Sequence, residues 1–302
     1  MAENFVFVMN ISSLEKDEFT IAPGHVLRRA KPEEIERIGQ FLANATNPGP
    51  PAKLHWESEP QPGGSGPNKP LAPENFRYFV MAPEGTSDET PWIRYAADIS
   101  IRELELGPTI STLHWGWVYN PGRLFQFVSG LAFGEACTPF LESHAVELSS
   151  IYSRLKNHDK MIDVVQMASA IGQLKEMDRR SHLVVLGYFA MLESLLTHQP
   201  KPSDPNESIT RQIKKKVALL DNRWSPRIDY RAFSGAPPDR IWEKMYAYRS
   251  ILAHGEKPDF ERGNLQTLGG SAQALSLVKE TVKSIARFAL VDPQLLQDLK
   301  DC

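Results

Sequence analysis

A stretch of 14 residues at positions 183–196 (LVVLGYFAMLESLL) constrains the fold more than any other part of this 302-residue chain. Its only charged side chain is Glu193, and apolar residues occupy nearly every side of the helix that it would form. Such a helix must be buried in protein, and it is shorter than the ~20 residues needed to span a bilayer. The stretch therefore predicts the central helix of a soluble helical bundle.

The two halves of the chain differ in hydrophobic periodicity. From about residue 144, apolar spacing typical of helices predicts helices near 144–157, 160–178, 181–198, 207–221, 238–254 and 271–290. Earlier runs rich in β-branched and aromatic residues predict strands at 5–9, 19–22, 76–82, 92–101 and 112–118, with one helix at 32–44. The pattern predicts an α+β fold, with a β-rich N-terminal domain over 1–140 and an all-helical domain over 141–302.

Residues 48–73 hold eight prolines and four glycines in 26 positions. Proline removes a backbone donor and disrupts both a helix interior and a central strand. We therefore expect an irregular surface loop or a disordered segment here.

Charge is divided unequally between the halves. Residues 1–144 contain 11 Lys+Arg against 18 Asp+Glu, a net charge of −7, whereas 145–302 contain 23 against 19, a net charge of +4. The total of −3 argues against general, non-specific binding of nucleic acid, but the basic half leaves room for a selected RNA.

Cysteine content and missing motifs exclude several classes of protein. Cys137 and Cys302 are too few for a disulfide framework or a Cys-based zinc site, which favours a cytoplasmic setting. The N-terminal residues lack the pattern of a signal peptide. The chain has no phosphate loop, dinucleotide fingerprint or zinc-protease motif, so we predict neither a cofactor nor a metal site. Because the apolar stretch 183–196 is too short to span a bilayer, we also predict no association with a membrane.

The segment 245–255 (MYAYRSILAHG) carries the strongest indication of chemistry. Gly255 suits the position that closes a helix, which places His254 at the helix end, where the dipole favours a positive charge. Arg249 precedes His254 by about 7–8 Å along the axis. An arginine that holds a phosphate and a histidine that moves a proton suit phosphodiester chemistry. The alternative is that His254 is only a cap.

Glu193 needs a partner because it is a charge on an otherwise apolar helix. Arg249 is the candidate partner, and the pair would orient the guanidinium against a phosphate. The alternatives are a purely structural ion pair or a solvent-facing glutamate at a helix edge.

The stretch 211–249 is locally basic and contains interleaved aromatic residues, a combination that could follow an RNA backbone and stack on bases. The alternative is a solvated helix face with aromatic residues in the core. The candidate RNA-binding residues are Arg211, Lys214, Lys215, Lys216, Lys244, Tyr246 and Tyr248.

The run YRSILAHG, preceded by GYFAMLESLL and by ITRQIKKKVALL, resembles the HEPN superfamily, and its Apea-like branch in particular. The resemblance covers 145–302 and implies a helical bundle that forms a homodimer. Many members are metal-independent endoribonucleases with an R-x(4–6)-H motif, which corresponds here to Arg249 and His254. The family's glutamate corresponds to Glu193. Family members often have Asn, Asp or His after the arginine, where this chain has Ser250, which cannot accept a proton as Asp or His can.

The resemblance implies cleavage of RNA, either tRNA or another selected RNA, by attack of the 2′-OH on the adjacent phosphate. Arg249, His254, Glu193 and Ser250 are the candidate catalytic residues. Proteins of this kind act as toxins or antiviral defence effectors, which implies a regulatory protein or phage trigger as a further partner. The competing hypothesis is an inactive HEPN module that dimerises or binds a ligand or protein.

Overall fold

The computed structural model describes residues 4–45, 56–61, 64–72, 76, 78–84, 89–111, 117–118, 137–157, 163–178, 180–198 and 208–301. The chain divides into two compact units, Met1–Lys156 and Asn157–Cys302. The first unit is built around an antiparallel sheet and the second is helical, so the fold class is α+β, as the sequence predicts.

The elements of the first unit follow one another in this order: β1 (Asn4–Val8), β2 (Ile11–Leu14), β3 (Glu18–Ala22), β4 (His25–Arg29), α1 (Pro32–Ala45), β5 (Trp56–Gln61), β6 (Gly64–Pro70), β7 (Phe79–Pro83), α2 (Thr90–Ile99), β8 (Leu106–Ser111), β9 (Trp117–Val118), β10 (Thr138–Phe140) and α3 (Glu142–Lys156). Six strands form the main sheet in the order β3-β4-β7-β1-β8-β9. All of its neighbouring pairs are antiparallel. A short parallel pair joins β2 and β10.

Strand β1 lies in the middle of the sheet and is buried on both faces. Phe5 and Phe7 pack on one side with Ile38 and Phe41 of α1. The intervening Val6, on the opposite face, is also buried. Burial on both faces explains why FVFVM reads as an uninterrupted apolar run and not as an alternating one.

The proline-rich segment 48–73 contains a β-hairpin, so the prediction of a wholly irregular segment was wrong. Strands β5 and β6 pair in an antiparallel two-stranded sheet in which Trp56 lies opposite Pro70. A two-stranded sheet has only edge strands, and an edge tolerates a residue that cannot donate a hydrogen bond. For the described residues 56–61 and 64–72, the argument against a helix or a central strand holds, but that argument does not rule out a pair of edge strands.

The prediction of a strand at 92–101 was also wrong, because residues Thr90–Ile99 form α2. Pro91 lies in the first turn, where its missing N–H costs no hydrogen bond. Ile93, Ala96 and Ala97 are buried at helical spacing. Packing of this face outweighed the strand preference of the aromatic and β-branched residues. The strand predicted at 112–118 lies largely outside the described residues.

Helix α3 packs within the first unit, against α2 and β3. The sequence places the domain boundary at 140/141, whereas the division between the units follows Lys156. Polar contacts also hold α3 in the first unit. Glu89 accepts hydrogen bonds from the Tyr152 hydroxyl at 2.9 Å and from Lys156 Nζ at 3.0 Å. The Lys156 ammonium also lies 5.4 Å from the centre of the Trp92 ring.

We expect Glu89→Gln to reduce the loss of stability that the protein suffers in acid. The hydrogen bonds from Lys156 and Tyr152 lower the pKa of Glu89 from its ordinary value of 4.5. A carboxylate with a lowered pKa stabilises the fold above its unfolded-state pKa, and this stabilisation is lost as the pH falls through the folded-state pKa. Urea unfolding measures the free energy of unfolding at about pH 6 and about pH 3. Between these two pH values the wild type should lose about 0.5–1 kcal/mol more of this free energy than the variant.

Glu142→Gln is the matched control for this experiment. Glu142 pairs with Lys16 at 2.6 Å, but both side chains are more than half exposed. Exposed pairs contribute little to stability. Equal acid sensitivity in the Glu89 variant, the Glu142 variant and the wild type would contradict the anchoring role of Glu89.

The second unit contains α4 (Val164–Glu176), α5 (His182–Leu196), α6 (Ile209–Asp221), α7 (Pro238–Ala253), α8 (Ser271–Ala289) and α9 (Pro293–Asp301), with short 3-10 helices at Arg231–Phe233 and Gly263–Leu268. Helix α5 packs against α4, α6, α7, α8 and α9. This confirms its predicted central position. Burial is not complete, however, because Leu183 in the first turn is 61% exposed. None of the described helices is long and apolar enough to cross a membrane.

Candidate functional site

Helix α7 ends at His254 and Gly255, as the sequence predicts. Gly255 has a φ of 73°, in the left-handed region. Its N–H donates to the Leu252 carbonyl at 3.1 Å, and the Glu256 N–H donates to the Ile251 carbonyl at 3.0 Å. These two bonds form a Schellman motif, which satisfies carbonyls of the last turn. His254 is consequently the capping residue, with an exposed side chain at the negative end of the helix dipole.

Arg249 of α7 and Glu193 of α5 form an ion pair, as the sequence predicts. Arg249 Nη2 donates to Glu193 Oε2 at 3.2 Å, and Arg249 Nε lies 3.2 Å from Oε1. The Glu193 side chain is 18% exposed and the Arg249 side chain 38%. Glu193 is therefore not a solvent-facing residue. The pair holds one edge of the guanidinium in the protein while more than a third of the side chain remains accessible.

Arg249 and His254 both expose polar groups near one end of α7. They are five positions apart, which corresponds to about 7–8 Å along the helix axis and about 140° around it. Ser250 is exposed, and its carbonyl accepts a hydrogen bond from the His254 N–H at 3.1 Å. A ligand that reaches round this end of α7 could be bound by the fixed cation and exchange a proton with the accessible imidazole.

The basic residues predicted to bind RNA do not share one surface environment. Arg211 and Lys215 are exposed on α6, one turn apart. Lys214 pairs with Asp239 at 3.2 Å. Lys216 is 8% exposed and belongs to the buried face of the helix. Arg211 and Lys215 are therefore the exposed members of this group.

Lys244 of α7 is largely enclosed as well. Its ammonium lies 3.1 Å from Glu243 Oε1 and donates a hydrogen bond to Asn264 Oδ1. These contacts hold the side chain against the 3-10 segment Gly263–Leu268. Within the described residues, Lys244 thus has a structural role in joining α7 to that segment.

The rings of Tyr246 and Tyr248 are core residues. Tyr246 is 9% exposed and packs edge-on against Phe189, with ring centroids 5.4 Å apart. Tyr248 is 0% exposed and packs edge-on against Phe260 at 5.1 Å. In this structure neither ring offers an accessible face for stacking on a base, which agrees with the alternative of core aromatic residues.

Burial raises the pKa of both tyrosine hydroxyls, and at Tyr246 the nearby Glu193 carboxylate raises it further. Tyr246 therefore belongs to the neighbourhood of the Arg249–Glu193 pair. This association was not predicted from the sequence. The signal was the spacing of three residues between Tyr246 and Arg249, which places both on one face of a helix.

Metal ligands are not gathered anywhere in the described residues: they hold no group of three or more His, Cys, Asp or Glu side chains that could bind an ion. The chain matches no family model, no curated protein and no solved structure in the comparisons with known proteins. The site must therefore be interpreted from its own geometry.

Proposed function

We propose that the second unit is a metal-independent endoribonuclease of HEPN type, with Arg249 and His254 as catalytic residues. The observation that carries the proposal is the Arg249–Glu193 pair at 3.2 Å, on the same helix as the exposed His254 five positions later. A guanidinium oriented by a carboxylate is suited to phosphate, because its planar fork donates two parallel hydrogen bonds. The accessible imidazole provides a group that can accept or donate a proton in the reaction.

The reaction follows from the chemistry of RNA. The ribose O2′ bonds to the adjacent phosphorus and the P–O5′ bond breaks, which leaves a 2′,3′-cyclic phosphate and a 5′-hydroxyl. His254 accepts the proton of the 2′-OH or protonates the departing O5′. Arg249 stabilises the charge that develops on the non-bridging phosphate oxygens. Glu193 positions Arg249, and the exposed Ser250 hydroxyl is a further hydrogen-bond donor to the phosphate.

A homodimer completes the mechanism, because one chain supplies a single motif histidine and the reaction uses both an acid and a base. Two α7 helices brought together would supply two imidazoles, and Arg211 and Lys215 would extend the positive surface. A strictly monomeric chain that cleaves RNA at full rate would contradict this part of the proposal.

The first unit then serves recognition or regulation of the nuclease. Residues 1–144 carry a net charge of −7, from 11 Lys+Arg against 18 Asp+Glu, and would repel bulk RNA. We place the protein in the cytoplasm as a toxin or defence effector, acting on tRNA or another selected RNA and controlled by a regulatory protein or phage trigger.

The test is incubation of the full chain with end-labelled RNA in EDTA, followed by analysis of the product ends. We expect cleavage to yield 2′,3′-cyclic phosphate and 5′-hydroxyl ends, and DNA of the same sequence to remain uncut because it lacks the nucleophilic 2′-OH. Absence of cleavage, or cleavage that EDTA abolishes, would overturn the proposal.

A non-catalytic binding module is the second candidate, and Ser250 is the observation that favours it. Serine cannot take over proton transfer, so the site holds fewer titratable groups than the active HEPN pattern. In that case the chain would dimerise and bind RNA or another ligand without cutting it. Sedimentation analysis alongside the cleavage assay separates the two functions.

A further inference from the structure

The hydroxyl of Tyr246 is buried without a hydrogen bond of good geometry to any described residue. Its ring is held edge-on by Phe189 of α5. A buried hydroxyl that lacks a partner is unfavourable, and such groups are uncommon in folded proteins. The position of this hydroxyl therefore calls for an explanation.

Glu193 has unused capacity to accept hydrogen bonds. A carboxylate offers about four acceptor positions, and the hydrogen bond described for this one comes from Arg249 Nη2 at 3.2 Å. Arg249 Nε lies at a similar distance but is not aligned to donate, and it too is buried without a hydrogen bond. The Tyr246 hydroxyl is close enough to feel the Glu193 charge. The Tyr246 hydroxyl and the Glu193 carboxylate thus lie side by side, in a contact too poorly aligned for a full hydrogen bond.

We propose that Tyr246 is the alternate partner of Glu193: when Arg249 turns toward a bound phosphate, the Tyr246 hydroxyl donates to the Glu193 carboxylate. The inference rests on the proposed function, because the phosphate of RNA is what draws Arg249 away. Tyr246 is a positioning residue in this scheme, since it acts on the substrate only through Glu193 and Arg249.

The physical reason is the penalty for leaving a buried charge unpaired. Removing one member of a partly buried ion pair exposes its partner to that penalty. Without Tyr246, the Glu193 carboxylate would oppose any movement of Arg249 away from it. With Tyr246 present, a second hydrogen-bond donor for Glu193 is already inside the protein, so Arg249 can leave the Glu193 carboxylate for the phosphate.

The experiment is a double-mutant cycle that needs no RNA. Arg249→Met removes the guanidinium and every N–H donor of that side chain, which leaves Glu193 dependent on Tyr246, and Tyr246→Phe removes only the hydroxyl. The matched control is Tyr248→Phe, since the Tyr248 hydroxyl is equally buried and unpaired on the same helix. Burial alone accounts for the raised pKa of Tyr248, with no contribution from Glu193.

We expect Tyr246→Phe to raise the unfolding equilibrium constant by about tenfold or more in the Arg249→Met background, as the loss of a hydrogen bond to a charged group would. In the wild-type background the same change should have an effect of less than about twofold. Tyr248→Phe should give one and the same factor in both backgrounds. Equal factors for Tyr246→Phe in the two backgrounds would overturn the inference.

A binding measurement separates this inference from the proposed function. The probe is a 2′-O-methyl RNA oligonucleotide, which lacks the nucleophilic hydroxyl and cannot be cut. Weaker binding by Tyr246→Phe, by about fivefold or more, with Tyr248→Phe unchanged, would support the inference. Equal binding by the two variants would contradict it. A wild-type chain that binds no oligonucleotide would overturn the proposed function, whereas the double-mutant cycle would still test the link between Tyr246 and Glu193.

Discussion

Arg249→Ala is expected to lower RNA cleavage in EDTA by about 10²–10⁴-fold, because it removes the group that stabilises the charge developing on the phosphate. His254→Ala should cost a similar factor of about 10²–10⁴, which is the usual contribution of a general acid or base. Initial rates on one labelled RNA, compared with the wild type under identical salt, measure both effects.

The conservative change Arg249→Lys separates geometry from charge. Lysine keeps the positive charge but lacks the planar fork that meets a carboxylate or a phosphate with two hydrogen bonds. In the structure two nitrogens of Arg249 lie 3.2 Å from the Glu193 carboxylate oxygens, and Nη2 donates a hydrogen bond to one of them. Activity of the lysine variant should therefore fall between those of the wild type and the alanine variant.

Arg231→Ala is the control for bulk charge. Arg231 lies in the basic stretch of the second unit, but its side chain is 91% exposed and pairs with Asp229 at 2.6 Å. Its removal should change the rate by less than about twofold, because the contact with RNA would be non-specific. A loss at Arg231 as large as the loss at Arg249 would show that charge, and not a defined site, governs cleavage.

Phe189→Ala is expected to destabilise the second unit by about 3–5 kcal/mol, the usual cost of removing a fully buried phenyl ring. Phe189 is 0% exposed and packs against Tyr246, so its ring fills space between α5 and α7. The loss combines the transfer free energy of the ring with the cavity that remains. The free energy of unfolding, measured in urea by circular dichroism, gives the effect.

The matched control on the same helix is Leu183→Ala. Leu183 is 61% exposed, so its removal should change the free energy of unfolding by about 0.5 kcal/mol or less. Phe189 also lies one turn before Glu193, and its loss should disturb the ion pair with Arg249. Similar losses in the free energy of unfolding for Phe189→Ala and Leu183→Ala would contradict the assignment of α5 as the packed centre of the bundle.

Local sequence signals were enough to locate the helix that carries the candidate site. Gly255 stops α7 because a residue without a side chain adopts a positive φ at little cost, and this places His254 at the helix end. The apolar stretch 183–196 likewise identified the central helix, and its one charge pointed to Arg249 as a partner. The helix stop and the apolar stretch succeed because they depend on residues within a few positions of each other. The pairing of Glu193 with Arg249, 56 positions away, followed instead from the penalty for an unpaired charge on an apolar helix.

The aromatic residues of α7 could not be assigned in the same way. Tyr246 and Tyr248 lie about 200° apart around the helix axis, so the spacing suggests that one of them faces solvent. Both are buried, because α7 is enclosed by α5 and α6 and by the 3-10 segment Gly263–Leu268. Sequence periodicity cannot show that a helix is surrounded on several sides when its other neighbours are distant in the chain.

The sequence alone determined the α+β class, the central helix and the spacing of Arg249 and His254, since each follows from local periodicity, turn chemistry and helix geometry. Tertiary structure decided the helix at Thr90–Ile99, the hairpin in the proline-rich segment and the burial of Tyr246 beside Glu193. Each of these depends on the free energy of packing or pairing between segments, which no single stretch of residues contains. Burial against a neighbour overrides the weak local preferences that a sequence displays.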